Sequence, residues 1–223
     1  MTLKHFIATG VGIAALVTGA SSALAAPIVD LYNTGVTDAG TVQANGASAL
    51  HYALTASPDP IVGLRVATSD NGFPIPPWIG DNATSAWIGP VGDQALDGSV
   101  GSYTYLTTFT LNNVDPATAK ISGQWSVDNR GVDILLNGRS LGITNDNAFT
   151  SFTPFTISSG FVSGLNTLEF VVLNESGPTG LRVEMTGTAG AVPEPATWAM
   201  MVLGFGVVGA GMRRKQAVRV TYA

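Results

Sequence analysis

In residues 103–111 the side chains sort by parity: Tyr103, Tyr105, Phe109 and Leu111 fall on one parity, Thr104, Thr108 and Thr110 on the other. Successive side chains of a strand point to opposite faces, so this pattern predicts a strand with one face in a core and one in water. Shorter alternations follow the same rule. Leu50, Tyr52 and Leu54 form one, and Val62, Leu64 and Val66 another. Ile121, Trp125 and Val127 share parity, the segment 128–131 reads as a turn, and Val132, Ile134 and Leu136 resume, which predicts a hairpin. Asn137-Gly138 suits both central positions of a type I′ turn and predicts a second hairpin into 141–144. Segments 152–157, 165–173 and 181–186 add three more strands. Outside the two ends, no window sustains an apolar 3.6-residue period. The expected fold class is all-β, a β-sandwich of jelly-roll type.

Between these strands, 70–102 is rich in Gly, Pro, Asn and Asp and carries Trp-Ile-Gly twice, at Trp78 and Trp87. It reads as a long loop pinned by its aromatics, although a loop of that length also warns of an element not recognised. The chain has no cysteine, which excludes a disulfide framework, a thiolate metal site and a cysteine nucleophile. Stability must then come from the core. From 26 to 191, five basic residues stand against fourteen acidic ones, a net charge of −9. So acidic a segment cannot neutralise phosphates, and nucleic acid is not an expected partner.

The two ends differ in kind from this middle. Lys4 and His5 precede an apolar run over 6–17 and the small-residue pattern Ala23-Leu24-Ala25, which reads as a secretory signal over 1–25. Cleavage is expected after Ala25, because a cut one residue later would place Pro27 directly after the scissile bond. At the other end 196–212 is apolar, and Arg213, Arg214 and Lys215 follow at once. About 25 Å of helix against a bilayer core of ~30 Å reads as a marginal transmembrane segment, with its basic end in the cytoplasm. The expected organisation is a sandwich over 26–187, a small-residue linker over 188–192 and a tail over 193–223.

The order Val192-Pro193-Glu194-Pro195-Ala196-Thr197-Trp198-Ala199-Met200-Met201, apolar sequence, then Arg213-Arg214-Lys215 resembles the PEP-CTERM sorting signal. The resemblance covers only about the last thirty residues. It implies recognition of Pro193, Glu194 and Pro195, in the variant with Trp198, by an exosortase-type processing enzyme in bacteria that make exopolysaccharide. Transit of the inner membrane by the secretion machinery and delivery to the cell surface or extracellular matrix are implied with it. A plain C-terminal anchor is the alternative. Separately, 134–142 and 164–170 resemble galactose-binding-like jelly rolls, a likeness that implies fold and carries no ligand.

Candidate chemistry is sparse. Gly204-Phe205-Gly206-Val207-Val208-Gly209 has the letters of a dinucleotide fingerprint, yet no strand precedes it and no acidic residue follows at the required distance. His51 is the only histidine past the signal and lies in an apolar alternation, a structural position without a nucleophile signature. Glycoside hydrolysis needs two carboxylates facing a cleft, for which Glu169 or Glu184 would serve with an Asp, but alternation places both as solvent-facing strand carboxylates. Asp93 with Asp97, Asp128 with Asn129 and Asp133, and Asn145 with Asp146 and Asn147 offer oxygens to a structural calcium, none in EF-hand spacing; the metal question stays open and no other cofactor is expected. Trp78 and Trp87 are the candidate platforms for sugar rings, with Trp125 expected in the core. The expected function is a non-enzymatic surface or matrix protein binding exopolysaccharide. The alternatives are a structural or adhesion protein without a ligand site and, third, an extracellular glycan-modifying enzyme.

Overall fold

A computed structural model describes residues 25–59, 66–70, 72–93, 98–146, 149–192 and 195–213. The expected signal therefore lies outside the described residues except for Ala25, as do Pro193, Glu194, Arg214 and Lys215 of the tail. The strands are β1 (Ala25–Pro27), β2 (Ala53–Ala56), β3 (Ala67–Thr68), β4 (Ile88–Gly89), β5 (Gly101–Leu111) and β6 (Val114–Asp128). Then come β7 (Arg130–Leu136), β8 (Arg139–Ser140), β9 (Thr153–Ile157), β10 (Gly164–Asn174) and β11 (Gly180–Ala191), followed by helix α1 (Pro195–Met212). They form two antiparallel sheets. One is six-stranded, in the order β3-β4-β11-β6-β9 with β1 also on β11; the other is five-stranded, β2-β5-β10-β7-β8.

Parity sends Tyr103, Tyr105, Phe109 and Leu111 of β5 inward, with Leu168, Phe170 and Val172 of β10 beside them. The facing sheet contributes Ile121, Trp125 and Val127 of β6 and Leu181, Val183 and Met185 of β11. Trp125 meets Phe170 across the layers at 5.8 Å between ring centroids. The indole also lies over Gly131, where a Cβ would come within 2.3 Å of the ring, so only glycine fits. Each such buried aromatic removes roughly 150–250 Å² from water, and together they hold the sandwich without cross-links.

The Asn137-Gly138 turn forms as expected, with φ of 53° and 75°, and closes β7 onto β8 through Leu136↔Arg139. The hairpin expected across 128–131 does not form. β6 belongs to the six-stranded sheet and β7 to the five-stranded one, so this segment is a corner between sheets. Side-chain bonding sets the corner: Thr179 Oγ1 donates to the Asp128 carbonyl at 2.6 Å, and Asn129 Oδ1 accepts from the backbone N–H of Glu175 at 2.7 Å and Ser176 at 3.1 Å. A bulge opposite Val171/Val172 skips Val132 and turns it outward, away from the face shared by Ile134 and Leu136.

One boundary expectation is corrected. Residues 188–191, read as linker, continue β11, which pairs with β6 through Gly190↔Asp115 and Ala191↔Val114. The tail helix α1 has 18 residues, about 27 Å at 1.5 Å per residue against a hydrocarbon core of ~30 Å. The expected segment 196–212 falls on this helix, and among the described residues no helix is long and apolar enough to cross a membrane. α1 is apolar on every side, and Trp198, Val202, Phe205 and Val207 are all exposed.

Candidate functional site

Two places outside the core gather functional side chains. The first is a strap, residues 72–93, laid over the outer face of the six-stranded sheet. Within it β4, the element hidden in the expected long loop, pairs Ile88 with Leu181. Ile88 thereby enters the core, and its neighbour Trp87 falls on the opposite face, beside Arg182. Trp87 is fully buried and Trp78 is 8% exposed, their rings 4.3 Å apart. Trp87 Nε1 donates to the Ile79 carbonyl and Trp78 Nε1 to Asp128 Oδ2, each at 2.8 Å. The expectation that these two indoles offer platforms to sugars is corrected by their burial. Their apolar area is spent joining strap to sheet, and their single donors are satisfied within the protein.

Arg182 sits beneath the strap with 1% of its side chain exposed. Its Nε donates to Ser85 Oγ at 2.8 Å, Nη1 to the Gly80 carbonyl, and Nη2 to Glu184 Oε1 at 3.4 Å, while Phe152 lies 5.0 Å from the guanidinium carbon. Glu184 also accepts from Ser85 Oγ at 2.8 Å, Asn82 Nδ2 at 2.9 Å and Gln124 Nε2 at 2.9 Å. Burial alone would raise the Glu184 carboxyl, but the donors Asn82, Gln124 and Ser85 and the Arg182 charge hold it below its ordinary range. Burial lowers Arg182 against the opposing pull of Asp81 and Glu184. Asp81 is raised by burial, although the Trp87 N–H and Arg182 oppose the shift. Asp128 is pushed up to about 6, again by burial, with the Trp78 indole N–H opposing.

Glu184 is thus an anchor of the strap and not the freely solvated carboxylate its parity suggested. Glu169 lies on β10 in the other sheet, on the outward parity, so the two glutamates cannot flank one sugar ring. Several of the calcium candidates bond within the protein, although the buried Asn145 Oδ1 has no hydrogen-bond partner among the described residues. Asp128 holds Trp78 and Asn129; Asp133 accepts the backbone N–H of Ile134 and Ile143 and the Ser140 hydroxyl; Asn145 Nδ2 donates to the Trp125 carbonyl. The backbone of Asp93 forms a β-bridge with Asp70, while Asp97 and Asn147 lie outside the described residues. Among the described residues no group of three or more His, Asp and Glu side chains is placed to hold a metal ion.

The second place is a cleft of about 310 Å³ lined by Asp30, Tyr32, Leu50, His51, Thr108, Phe109 and Thr110. The Tyr32 and His51 rings stack at 3.5 Å between centroids and 6° between planes. Tyr52, buried next in sequence, donates its hydroxyl to the Tyr32 carbonyl at 2.9 Å and fixes that segment. Gln43 closes the neighbouring loop, with Nε2 on the Ser48 carbonyl at 2.9 Å and Oε1 accepting the Leu50 N–H at 3.3 Å. His51 Nε2 lies 3.4 Å from Asp38 Oδ1 without hydrogen-bond geometry. Thr108 and Thr110 are outward residues of β5, so the cleft borders the outer face of the five-stranded sheet, over which no described segment forms a strap. Sequence reasoning placed His51 as structural and did not single out Tyr32 or Asp30. The outward parity of the threonines was the one part of this cleft with a local signal.

No curated protein sequence matches the chain. Among solved structures it is similar to a CBM35 from Paenibacillus barcinonensis, at 14% identity and TM-score 0.37 over 61% of this chain and 92% of that one. It is also similar to the CBM36-1 domain of a multidomain xylanase from the hindgut metagenome of Trinervitermes trinervoides, at 18% identity and TM-score 0.31, covering 52% and 85%. A family 35 carbohydrate binding module from Clostridium thermocellum matches at 12% and 0.33, covering 56% and 87%. At the C-terminus, residues 191–215 match the family model of the PEP-CTERM protein-sorting motif, and the chain carries that motif.

Proposed function

We propose that this is a non-enzymatic protein of the cell surface or extracellular matrix that binds exopolysaccharide weakly in the Tyr32–His51 cleft. The sorting motif supports the location, through export and exosortase processing. The observation that carries the binding is the stacked aromatic pair bordering an open cleft with a carboxylate, Asp30, and two threonine hydroxyls. Sugar rings present apolar C–H groups to aromatic ring faces and hydroxyls to oxygen ligands, and this lining supplies aromatic rings and oxygens. A cleft of about 310 Å³ suits one or two rings, so affinity per site is low and display of many copies along a polymer supplies avidity. The described lining holds no Lys or Arg, and the acidic domain favours neutral or cationic glycans at low salt.

Affinity electrophoresis against the host's own exopolysaccharide, with and without calcium, tests this reading. Wild type is retarded and Tyr32→Ala migrates freely. Unretarded wild type at every polymer concentration ends the proposal in favour of a structural matrix protein. The specific support for that second reading is the outer face of the five-stranded sheet, where Leu106, Leu135, Val171 and Leu173 are only partly buried.

A further inference from the structure

The sorting motif begins inside the sandwich. Its match starts at residue 191, which is the last residue of β11 and is paired with Val114. The next residue is tied as well: the Val192 N–H donates to the Asn113 carbonyl at 3.2 Å. The strand beneath is braced on both sides. Gly190 pairs with Ala25 of β1 on one side and Asp115 of β6 on the other, and its N–H donates to Thr118 Oγ1 at 2.7 Å. Thr118 Oγ1 donates in turn to the Asp115 carbonyl at 2.7 Å, and Asp115 Oδ1 accepts the Ala117 N–H at 2.9 Å, which closes the segment 115–118 on itself. A groove of about 800 Å³ lies at this base, walled by Val114, Pro116, Ser163 and Val192 with the exposed Asp115.

Val192 in this groove is followed directly in sequence by Pro193 of the motif. An extended chain advances at most ~3.6 Å per residue, so Pro195 lies within roughly 11 Å of Val192. An enzyme that grips Pro193, Glu194 and Pro195 covers more than that distance and meets the groove walls. We infer that the groove at the base of the tail is a docking surface for the enzyme that processes the sorting motif. The apolar walls Val114, Pro116 and Val192 supply buried area continuous with the motif. Ala25 also lines the groove, so cleavage after Ala25, as the sequence predicts, removes one wall and opens the surface before the tail is processed.

The test follows processing of the full chain in its native host by pulse-chase and intact mass. Ser163→Arg combined with Pro116→Arg puts two bulky cations into the groove, and Ser176→Arg, at the opposite end of β10, is the control. The double variant is expected to slow conversion by roughly threefold or more, while the control converts as wild type. A Gly-Ser insert of twelve residues between Val192 and Pro193 is expected to slow conversion likewise, because it lowers the effective concentration of groove near motif. Unaltered melting of the variant domain separates this effect from misfolding. Wild-type conversion of the double variant means the tail is read alone and overturns the inference, as does an insert that leaves conversion unchanged or faster.

Discussion

The two sheets of this sandwich obey one parity rule and treat their outer faces in opposite ways. On β11 the outward residues Arg182 and Glu184 are covered by the strap and locked into Ser85, Asn82 and Gly80. On β5 the outward residues Thr104, Thr108 and Thr110 meet no covering segment among the described residues, and Thr108 and Thr110 border the cleft. Outward parity therefore does not mean solvent. It becomes a second packed layer where a tryptophan-bearing segment lies over it, and stays available for binding where none does. The comparison breaks if substitutions on the two faces have equal effects on stability.

The largest difference is expected at Trp87. Trp87→Ala empties a fully buried indole site and removes the bond to the Ile79 carbonyl, at a cost of about 3–5 kcal/mol. Urea denaturation of the exported domain measures it. Arg182→Leu comes next: it leaves Glu184 half-buried without its cation and Ser85 without its donor, a loss of about 3 kcal/mol. Should both variants stay within 0.5 kcal/mol of wild type, the typical range of a surface substitution, the strap is a loose cover and not a layer.

A pH dependence of intermediate size sharpens the same contrast. The Asp128 carboxyl stands at about 6 in the folded chain against 3.8 as a free side chain, so the folded state holds the proton more tightly. Its stabilising contribution is complete below about pH 3.8 and is lost as pH rises through about 6, a change of roughly 1–3 kcal/mol. Asp81, also raised by burial, adds a slope of the same sign, whereas Glu184, lowered, loses its contribution only as pH falls through its folded value. Denaturation midpoints of wild type and Asp128→Asn between pH 4 and 7 isolate the Asp128 part. The variant is expected to flatten the slope, and an unchanged slope assigns it elsewhere.

What the sequence made legible was local. The strand β5 and the Asn137-Gly138 turn were plain because parity and turn chemistry depend on neighbours along the chain. The strap was recognised as loop, but the burial of Trp78 and Trp87 was not, since it depends on Arg182 and Asp128 fifty or more residues away. The corner at 128–131 looks like a hairpin turn because the same Asp and Asn serve either geometry, and the bonds from Thr179, Glu175 and Ser176 decide. The tract 188–191 reads as linker by its small residues, which are equally what a close-packed strand end admits beside Thr118. The cleft was the least legible feature. Tyr32 and His51 lie nineteen positions apart in unremarkable context, and only the folded chain stacks them.

The smallest stability effect is expected on the uncovered face, where the effect on binding is largest. Tyr32→Ala removes half of the stacked pair yet keeps the backbone carbonyl that receives the Tyr52 hydroxyl, so the anchoring of this segment survives. Thr108→Ala removes one exposed hydroxyl from a strand paired with β10 at this position through Thr167. Each is expected to shift unfolding by less than about 1 kcal/mol, which thermal melts resolve against the Trp87 variant. In affinity electrophoresis the ranking reverses. Tyr32→Ala loses retardation by the exopolysaccharide, Thr108→Ala weakens it, and a charge-neutral substitution on the strap that preserves folding leaves it intact. Retardation that follows melting temperature instead of cleft identity would place binding on the molecule as a whole, and the distinction between a covered and an open face would then carry no function.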